Sequence, residues 1–390
     1  MAYNYVELGS LITPSKTVRC GDGVYPVLSM TMHNGLVFQD EKFKKVIASK
    51  DTSDYKVVYR NQLVISFPID EGVLAAQRIT DAGIVSPAYG IWDINQSKIL
   101  PEFLEYALRC DRAIQYYKAK LRGSTARRRT IPTPTLLAFM VPLPCLEEQK
   151  MVIDRIHRAR LVIENRKEQM NKLDDLIKAR FVEMFGDLAD PACKWEKCRL
   201  VDACSNSDDI KCGPFGTQLG KDEYTEEGVS VWEIPQINSE FKTLPTHFVT
   251  EEKAAALNAY SIIPGDIAMS RKGNVGRCAV FPATFENGII HSDVLRIRLD
   301  KAKVLPEFMM RQLHYSGDIQ HQIELVSSGA IMAGINVTKL KQIYVYLPPI
   351  DLQGKFVEFI AQVDKSKAVI QKSLEEAQLL FDSLMQQYFG

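Results

Sequence analysis

Leu143–Leu146 reads Leu-Pro-Cys-Leu, and the chain returns to this pattern in Leu347–Ile350, which reads Leu-Pro-Pro-Ile. A glutamine follows each stretch, Gln149 in the first and Gln353 in the second, at an offset of 204 residues (353 minus 149). This pair of stretches indicates how the chain is organised, because a pattern that recurs at a fixed offset is typical of a duplicated structural unit.

Two further pairs of stretches recur at nearly the same distance. Leu100–Phe103 and Leu305–Phe308 both read Leu-Pro-Glu-Phe, at an offset of 205 residues (305 minus 100). Phe185–Gly186 matches Phe389–Gly390, again at an offset of 204 (389 minus 185). A difference of one residue fits a deletion in a loop, so we interpret the chain as one unit of about 200 residues written twice.

Each copy ends in a long helical pattern that begins at its glutamine. Positions alternate by three and four residues for about five heptads, which is typical of a coiled-coil seam. Polar Arg166 and Lys367 interrupt the seam near its middle, where such residues can fix the register of pairing. The predicted seam consists of Gln149, Val152, Ile156, Ala159, Ile163, Arg166, Met170, Leu173, Ile177, Arg180 and Met184 in the first copy, and of Gln353, Phe356, Ile360, Val363, Lys367, Ile370, Leu374, Ala377, Phe381, Leu384 and Tyr388 in the second.

The architecture follows from these two helices, which we place at residues 145–186 and 349–390. A helix of about 37 residues is roughly 55 Å long, and two similar seams in one chain can pair. We predict an antiparallel pair, with globular parts 1–144 and 187–348 separated by it and related by a pseudo-two-fold axis. Two alternatives stay open: each helix packs on its own globular part, or the helices pair between chains in a dimer.

The globular parts have the pattern of mixed α/β domains. In the second copy, Leu295, Ile297 and Leu299 alternate with Arg296 and Arg298, which predicts a half-buried strand. Helical patterns such as 101–117 and 306–323 lie between the strands. The predicted fold class is therefore mixed α/β, in two repeats.

Composition restricts the possible partners. The chain has 390 residues and 48 basic against 48 acidic side chains, so its formal net charge is zero. This balance argues against a protein that coats nucleic acid without sequence preference, although charge can still be concentrated in loops. No apolar run reaches the length of a membrane helix, and the first ten residues lack the basic segment of a secretory signal, so we expect a cytoplasmic protein.

The eight cysteines indicate reduced thiols rather than disulfides or a metal site. None forms a Cys-x-x-Cys pair. Cys193, Cys198, Cys204 and Cys212 lie close in sequence, but their spacing fits no zinc pattern. We therefore predict no metal ligands.

Motifs of catalysis are missing from the sequence. An adenine methyltransferase would need Asn/Asp-Pro-Pro-aromatic, and Pro348–Ile350 lacks both flanking residues. A phosphate-binding loop is excluded because Asp222 follows Gly220–Lys221 where Ser or Thr is required. There is no Gly-x-Ser-x-Gly and no His-Glu-x-x-His. We therefore predict a protein without catalytic residues or a cofactor of its own.

Basic residues concentrate in loops that differ between the copies. Such groups suit contacts to DNA phosphates and readout of guanine by arginine, and the alternative is solvated helix ends and hairpins. The run in residues 118–129 has no basic counterpart at 322–333 of the second copy, where a different loop, 271–277, is basic instead. The candidate DNA-binding residues are Lys118, Lys120, Arg122, Ser124, Arg127, Arg128, Arg129, Lys211, Lys221, Arg271, Lys272, Asn274, Arg277 and Ser328.

These stretches resemble the specificity subunits of type I restriction-modification systems. Gly213–Leu219 (GPFGTQL) looks like the opening of their target recognition domains, and Gly265–Gly273 (GDIAMSRKG) with Gly276–Cys278 is similar to their central hairpin. Ser327–Gly329 and Leu347–Ile350 look like the closing run into the long helix. The first copy is a looser match and lacks the Gly-Pro-Phe-Gly string, which leaves its base contacts open.

The resemblance implies a function and a set of partners. Residues 1–144 and 187–348 would be target recognition domains, each reading one half of a split DNA target, and the helices would set the unread spacer. Two methyltransferase subunits would dock on the helices, carry S-adenosylmethionine and methylate adenine. Restriction subunits with ATP and magnesium would join for cleavage, and none of these cofactors is expected on this chain.

Other functions remain possible from sequence. A duplicated coiled coil could be a scaffold that joins two partners without DNA, and a single-chain enzyme could use unfamiliar motifs. A closer alternative is the DNA-reading subunit of a methylation-only defence system, which the residues do not distinguish from a complete restriction system.

Overall fold

Two compact units make up the chain, which is described by a computed structural model. One unit is Met1–Glu168 with Ile370–Gly390, and the other is Gln169–Val369. The division passes through both long helices, so each unit contains one globular part and segments of both helices. The structure describes residues 3–32, 34–42, 51–67, 69–121, 131–188, 190, 193–327 and 334–390.

The first unit is built on an antiparallel four-stranded sheet with three additional strand pairs. Its described elements are, in chain order, β1 (Tyr5–Glu7), β2 (Ile12–Pro14), β3 (Leu28–Thr31), β4 (Gly35–Phe38), α1 (Gln39–Lys42), β5 (Lys56–Tyr59), β6 (Leu63–Ile65), β7 (Leu74–Ala76), β8 (Ala82–Val85), β9 (Gly90–Ile94), α2 (Pro101–Arg109), α3 (Asp111–Lys120), α4 (Thr133–Leu137), β10 (Met140–Pro142) and α5 (Leu146–Phe185). The sheet has the order β2-β9-β6-β7, and the pairs are β1–β10, β3–β4 and β5–β8. Helix α2 begins with Pro101, a residue suited to the first helical turn, and buries Phe103, Leu104 and Ala107 in the core.

The second unit has two four-stranded sheets and one strand pair. Its described elements continue as β11 (Glu196–Arg199), β12 (Ile210–Cys212), β13 (Val229–Trp232), α6 (Ile234–Asn238), β14 (His247–Val249), α7 (Glu251–Ala256), β15 (Ser261–Ile262), β16 (Ile267–Ser270), β17 (Cys278–Val280), β18 (Gly288–Ile290), β19 (Val294–Ile297), α8 (Pro306–Tyr315), α9 (Gly317–Ser327), α10 (Val337–Leu340), β20 (Tyr344–Leu347) and α11 (Ile350–Phe389). One sheet, β12-β19-β16-β17, is antiparallel, and the other, β14-β13-β18-β15, contains the parallel pair β13–β18. Strands β11 and β20 pair separately.

Strand β19 is buried on both faces, so the prediction of a half-buried strand is wrong. All four of its residues are buried, including Arg296, which is 4% exposed. The Arg296 guanidinium donates to the carbonyl oxygens of Ser261 (2.6 Å) and Asp208 (3.2 Å). Ser261 lies in β15 of the other sheet. The alternating pattern of β19 carries no sign of this tertiary neighbour, which covers the arginine and accepts a hydrogen bond from it.

The two repeated glutamines hold the same hydrogen bonds in their respective units. The Gln149 side chain accepts from the N–H of Leu100 (2.8 Å) and donates to the carbonyl oxygens of Lys98 (3.0 Å) and Pro144 (2.9 Å). In the second copy, Gln353 accepts from Leu305 (2.9 Å) and donates to the carbonyl oxygens of Lys303 (3.1 Å) and Pro348 (2.7 Å). Both glutamines are fully buried. Each one therefore ties the start of its long helix to the start of the Leu-Pro-Glu-Phe helix.

Replacing Gln149 with leucine is expected to lower the free energy of unfolding of the first unit by about 2–3 kcal/mol. Leucine has a similar volume but leaves one N–H and two carbonyl groups without their partner in a buried place. Urea denaturation followed by circular dichroism would measure the change, and the exposed Gln371→Leu on α11 is the control. Equal stability of Gln149→Leu and wild type would contradict the structural role of these bonds.

The long helices pair antiparallel within each unit, and this confirms the predicted fold class. In the first unit, the Arg166 guanidinium donates to the Ser373 hydroxyl at 3.0 Å. In the second, Lys367 forms an ion pair with Asp174, and the rings of Phe181 and Phe356 lie 5.5 Å apart. In these contacts the residue number on α5 increases while the residue number of its partner on α11 decreases. This order is that of antiparallel helices. Every position of the predicted seam is buried or half-buried.

The last aromatic residue of each long helix packs on the Leu-Pro-Glu-Phe helix of the other copy. In the first unit, the Phe389 ring of α11 lies 4.9 Å from the Phe103 ring of α2. In the second unit, the Phe185 ring of α5 lies 4.8 Å from the Phe308 ring of α8. Each helix also packs at its start on its own globular part, as Ile156 does in the first core. Each long helix thus begins in the core of one copy and ends in the core of the other.

Candidate DNA interface

A tight hairpin turn connects β16 and β17 in the second unit and carries the basic residues predicted from sequence. The N–H of Ser270 donates to the carbonyl oxygen of Arg277 (2.7 Å), which closes the turn. Gly276 has a φ of +85°, and a Cβ at that position would lie 3.0 Å from Ile323 of α9. Glycine is needed there for its conformation and for the close packing of the turn on α9.

Arg271, at the start of this turn, contacts backbone groups on several segments. Its Nε donates to the carbonyl oxygen of Ile335 (3.2 Å) and its Nη1 to that of Ser292 (3.4 Å). The guanidinium carbon lies 4.7 Å from the centroid of the Phe215 ring. The side chain is half-buried, so Arg271 is fixed by its own protein.

The next two cations of the turn have acidic partners. Lys272 Nζ lies 2.8 Å from an oxygen of Asp293. Arg277 lies 3.2 Å from Glu240, and both of these side chains are more than 40% exposed. Exposed pairs contribute little to stability, so Arg277 can exchange Glu240 for a phosphate at small cost. Asn274, at the tip of the turn, is exposed.

The turn forms one wall of a cleft of about 660 Å³ beside helix α5. Glu240 and the α8 residues Arg311 and His314 complete the cleft. Sequence reasoning did not identify them, because Glu240 lies more than 70 positions before the other two in the chain. The cleft is lined by Asp174, Asp175, Lys178, Glu240, Asn274, Val275, Gly276, Arg277, Arg311, His314, Tyr315 and Gln320.

His314 is held neutral at the back of this cleft. Its Nε2 accepts from the N–H of Cys278 at 3.3 Å. Burial, reinforced by the nearby charges of Arg277 and Arg311, lowers the pKa of His314 from 6.5 to about 4. A neutral imidazole is the form that can accept this bond, so the histidine fastens β17 to α8.

Stability of the second unit is expected to fall as the pH drops from about 6.5 toward 4. In that window the unfolded chain takes up a proton at His314, whereas the folded protein does not, so the loss is on the order of 1 kcal/mol for each pH unit. His314→Gln keeps an acceptor for Cys278 and should flatten the dependence. Urea titrations at pH 7, 6 and 5 would test this, with exposed His321→Gln as control; identical slopes for His314→Gln and wild type would refute it.

The opening loop of the second unit approaches the connection between β18 and β19 very closely. Gly213 donates to the carbonyl oxygen of Val294 (3.1 Å), and a Cβ at position 213 would lie 2.2 Å from the carbonyl oxygen of His291. Only glycine fits this approach. The loop continues to Phe215, the residue that covers Arg271.

Lys211 and Lys221 lie in two other places. Lys211 Nζ is 5.8 Å from the Tyr260 ring, and the residue lines a separate polar cavity that also contains Arg296 and Arg298. Lys221 is exposed in the turn that follows the opening loop. Neither lysine lines the cleft beside the hairpin.

A second group of polar side chains lies near the opening loop, and sequence reasoning missed it. The rings of Tyr224 and His247 stack at 4.7 Å, and His247 Nδ1 lies 2.7 Å from a carboxylate oxygen of Glu233. His291 Nε2 lies 3.9 Å from the other Glu233 oxygen. Preorganised groups of this kind can hydrogen-bond to base edges. No spacing in the sequence links positions 224, 233, 247 and 291; the β13–β14 and β13–β18 pairings bring them together.

The first unit presents two of its predicted cations at a helix end. Lys118 and Lys120 are exposed in the last turn of α3, where positive charge also interacts favourably with the helix dipole. The other residues of this candidate set lie outside the described residues: Arg122, Ser124, Arg127, Arg128 and Arg129, together with Ser328 of the second copy.

A family model identifies the domain that carries the hairpin and the opening loop. The model of the type I restriction modification DNA specificity domain matches residues 194–379. Residues 194–379 are similar to this family of domains. The match spans the globular part of the second copy and most of α11, and it confirms the resemblance that the motifs indicated. The family is one of targeting domains rather than catalysts.

Two solved structures extend the likeness over the entire chain. One comes from work on the structural basis of complex assembly and conformational transition of the type I R-M system. It is 17% identical in sequence, the alignment covers 99% of this chain and 97% of the other, and the TM-score is 0.60. The S subunit of a type I restriction-modification system from M. genitalium is 15% identical, covers 100% and 96%, and has a TM-score of 0.57. The specificity-subunit fold therefore includes both copies and both long helices.

The described residues give no sign of a metal centre or a membrane span. Among them, no group of three or more histidine, cysteine, aspartate or glutamate side chains is arranged to hold a metal ion. Within the same residues, no helix combines the length and the apolar character that crossing a membrane requires. All eight cysteines are free thiols.

Proposed function

We propose that this chain is the DNA-sequence-recognition subunit of a type I restriction-modification complex and reads a target in two separated halves. The observation that carries the proposal is the specificity-domain match of residues 194–379, combined with a fold shared with an S subunit over the full chain. Each specificity domain would read one half-site.

The conserved frame and the divergent loops of the two copies support this division of labour. Gln149 and Gln353 make equivalent hydrogen bonds, so the frame is the same. The basic loops differ: residues 118–129 in the first copy and 271–277 in the second. Two readers of different sequences need a common scaffold with different contact loops, because base contacts specify and phosphate contacts position.

The proposed partners supply all the chemistry. Two methyltransferase subunits would dock on the paired helices and bring S-adenosylmethionine, and restriction subunits would bring ATP and Mg²⁺. In this scheme the chain itself is non-catalytic, binds none of these cofactors, and works in the cytoplasm where the DNA is.

Methylome sequencing of cells that express the chain with the methyltransferase encoded beside it tests the proposal. The expected result is adenine methylation at one bipartite motif, absent when the chain is omitted. Methylation that does not depend on the chain, or that occurs at a continuous motif, would contradict it. The same pair of proteins, tested for binding to duplex DNA, separates this function from a scaffold that never contacts DNA.

Removing three cations from the first copy is expected to weaken DNA binding and its dependence on salt. Arg127→Ala, Arg128→Ala and Arg129→Ala together should lower the slope of log K against log salt by up to about 2.7, since each phosphate contact contributes about 0.9. Fluorescence anisotropy with a labelled duplex at several salt concentrations measures the slope. Lys98→Ala, in another loop of the same copy, is the control; an unchanged slope in the triple variant would make the three arginines bystanders.

A further inference from the structure

We infer that Arg271 is a positioning residue, which holds the loops of the second specificity domain in their DNA-reading arrangement and does not itself contact DNA. The inference rests on the proposed function and deepens it. Sequence reasoning placed Arg271 among the residues that bind DNA directly; its surroundings favour a different role.

Arg271 joins four segments that are distant in sequence. The guanidinium reaches Ile335, just before α10, and Ser292, just before β19, and it covers the Phe215 ring of the opening loop. The backbone of the same residue adds two bonds: its N–H donates to Asp293 (2.9 Å), and its carbonyl accepts from Ile335 (3.2 Å). The hairpin, the opening loop, the β18–β19 connection and the segment before α10 therefore meet at one side chain.

Geometry makes arginine suited to this junction and poorly available to DNA. Its planar guanidinium donates in two directions while its face stacks on an aromatic ring, and lysine can do neither in the same way. Two donors point to carbonyl oxygens and the guanidinium carbon lies over the Phe215 ring, so a phosphate or a guanine would have to displace existing contacts. Arg277, six residues later, has the opposite character: its side chain is exposed, and so is that of its partner Glu240.

If Arg271 only positions the loops, its loss should reduce specificity for the target without reducing affinity for DNA in general. A cation that touches phosphate contributes to binding of every DNA sequence and to the salt dependence. A residue that only arranges the reading loops should affect the preference for the target and leave binding of random DNA unchanged. Arg271 and Arg277 provide this comparison on one hairpin, with equal charge.

The test measures dissociation constants of the full chain with its methyltransferase, for a duplex carrying the methylated motif and for a scrambled duplex, at several salt concentrations. For Arg271→Gln we expect at least about tenfold weaker binding of the motif, scrambled binding within about twofold, and an unchanged salt slope. Arg271→Lys keeps the charge and should show the same loss. Arg277→Gln should retain the ratio of motif to scrambled affinity.

Three outcomes would overturn the inference: a salt slope reduced by about 0.9 in Arg271→Gln, wild-type affinity in Arg271→Lys, or an equal loss of preference in Arg277→Gln. If the Arg271 variants fail to fold, Phe215→Ser carries the test, because this half-exposed ring belongs to the junction and not to a core. An undiminished motif preference in Phe215→Ser then overturns the inference. A wild-type chain that prefers no motif would instead overturn the proposed function.

Discussion

Lengthening both long helices by one heptad is expected to add about three base pairs to the unread spacer of the methylated motif. Seven residues extend a helix by about 10.5 Å at 1.5 Å per residue, and successive base pairs are about 3.4 Å apart. Insertions after Glu168 in α5 and after Val369 in α11 follow exposed residues that lie between seam positions. A whole heptad preserves the seam phase, so both helices keep their buried faces.

Methylome sequencing reads the result directly, since each half-site should be unchanged and only the distance between them longer. The control is a heptad inserted in α5 alone. That change shifts the Arg166–Ser373 and Lys367–Asp174 pairings out of mutual register, so the folded protein and its methylation should be lost. Continued methylation at the original spacing by the doubly lengthened chain would show that the helices do not set the spacer.

Local patterns predicted the helical part of the fold well. The seam could be read from sequence because helical periodicity depends on residues three and four positions apart, and each seam position is buried or half-buried in the structure. The repeat could be recognised from Gln149 and Gln353, but the sequence did not reveal the structural role of these two glutamines. Two of the three hydrogen-bond partners of each glutamine lie about 50 residues earlier, and no periodicity connects such distances.

The candidate site was less predictable because the same residue type serves two purposes. Arg271 and Arg277 look alike in a basic, glycine-containing turn, yet one is fixed among backbone carbonyls and the other is exposed. The alternating pattern placed Arg296 on the solvent-facing side of a strand, but in the structure the second sheet covers this side chain. Which arginine is exposed depends on tertiary neighbours, and composition and spacing carry no information about those.

The aromatic side chains at the ends of the two long helices help to form the cores of the fold. Phe389 is fully buried against Phe103, and Phe185, its counterpart, is 3% exposed against Phe308. Each core is thus completed by an aromatic ring from the other copy's helix.

Phe389→Ala is accordingly expected to destabilise the first unit by about 3–5 kcal/mol, the range for removing a fully buried phenylalanine ring. The loss combines the apolar surface no longer buried with the cavity left beside Phe103 and Tyr106, whose rings lie 4.9 and 6.3 Å from Phe389. Thermal and urea unfolding measure it. Leu379→Ala on the same helix is the matched control, because that side chain is 71% exposed and should change stability by less than about 0.5 kcal/mol. If both variants unfold at the same urea concentration as wild type, the end of α11 does not complete the first core, and the pairing of long helices across the two copies loses its anchor.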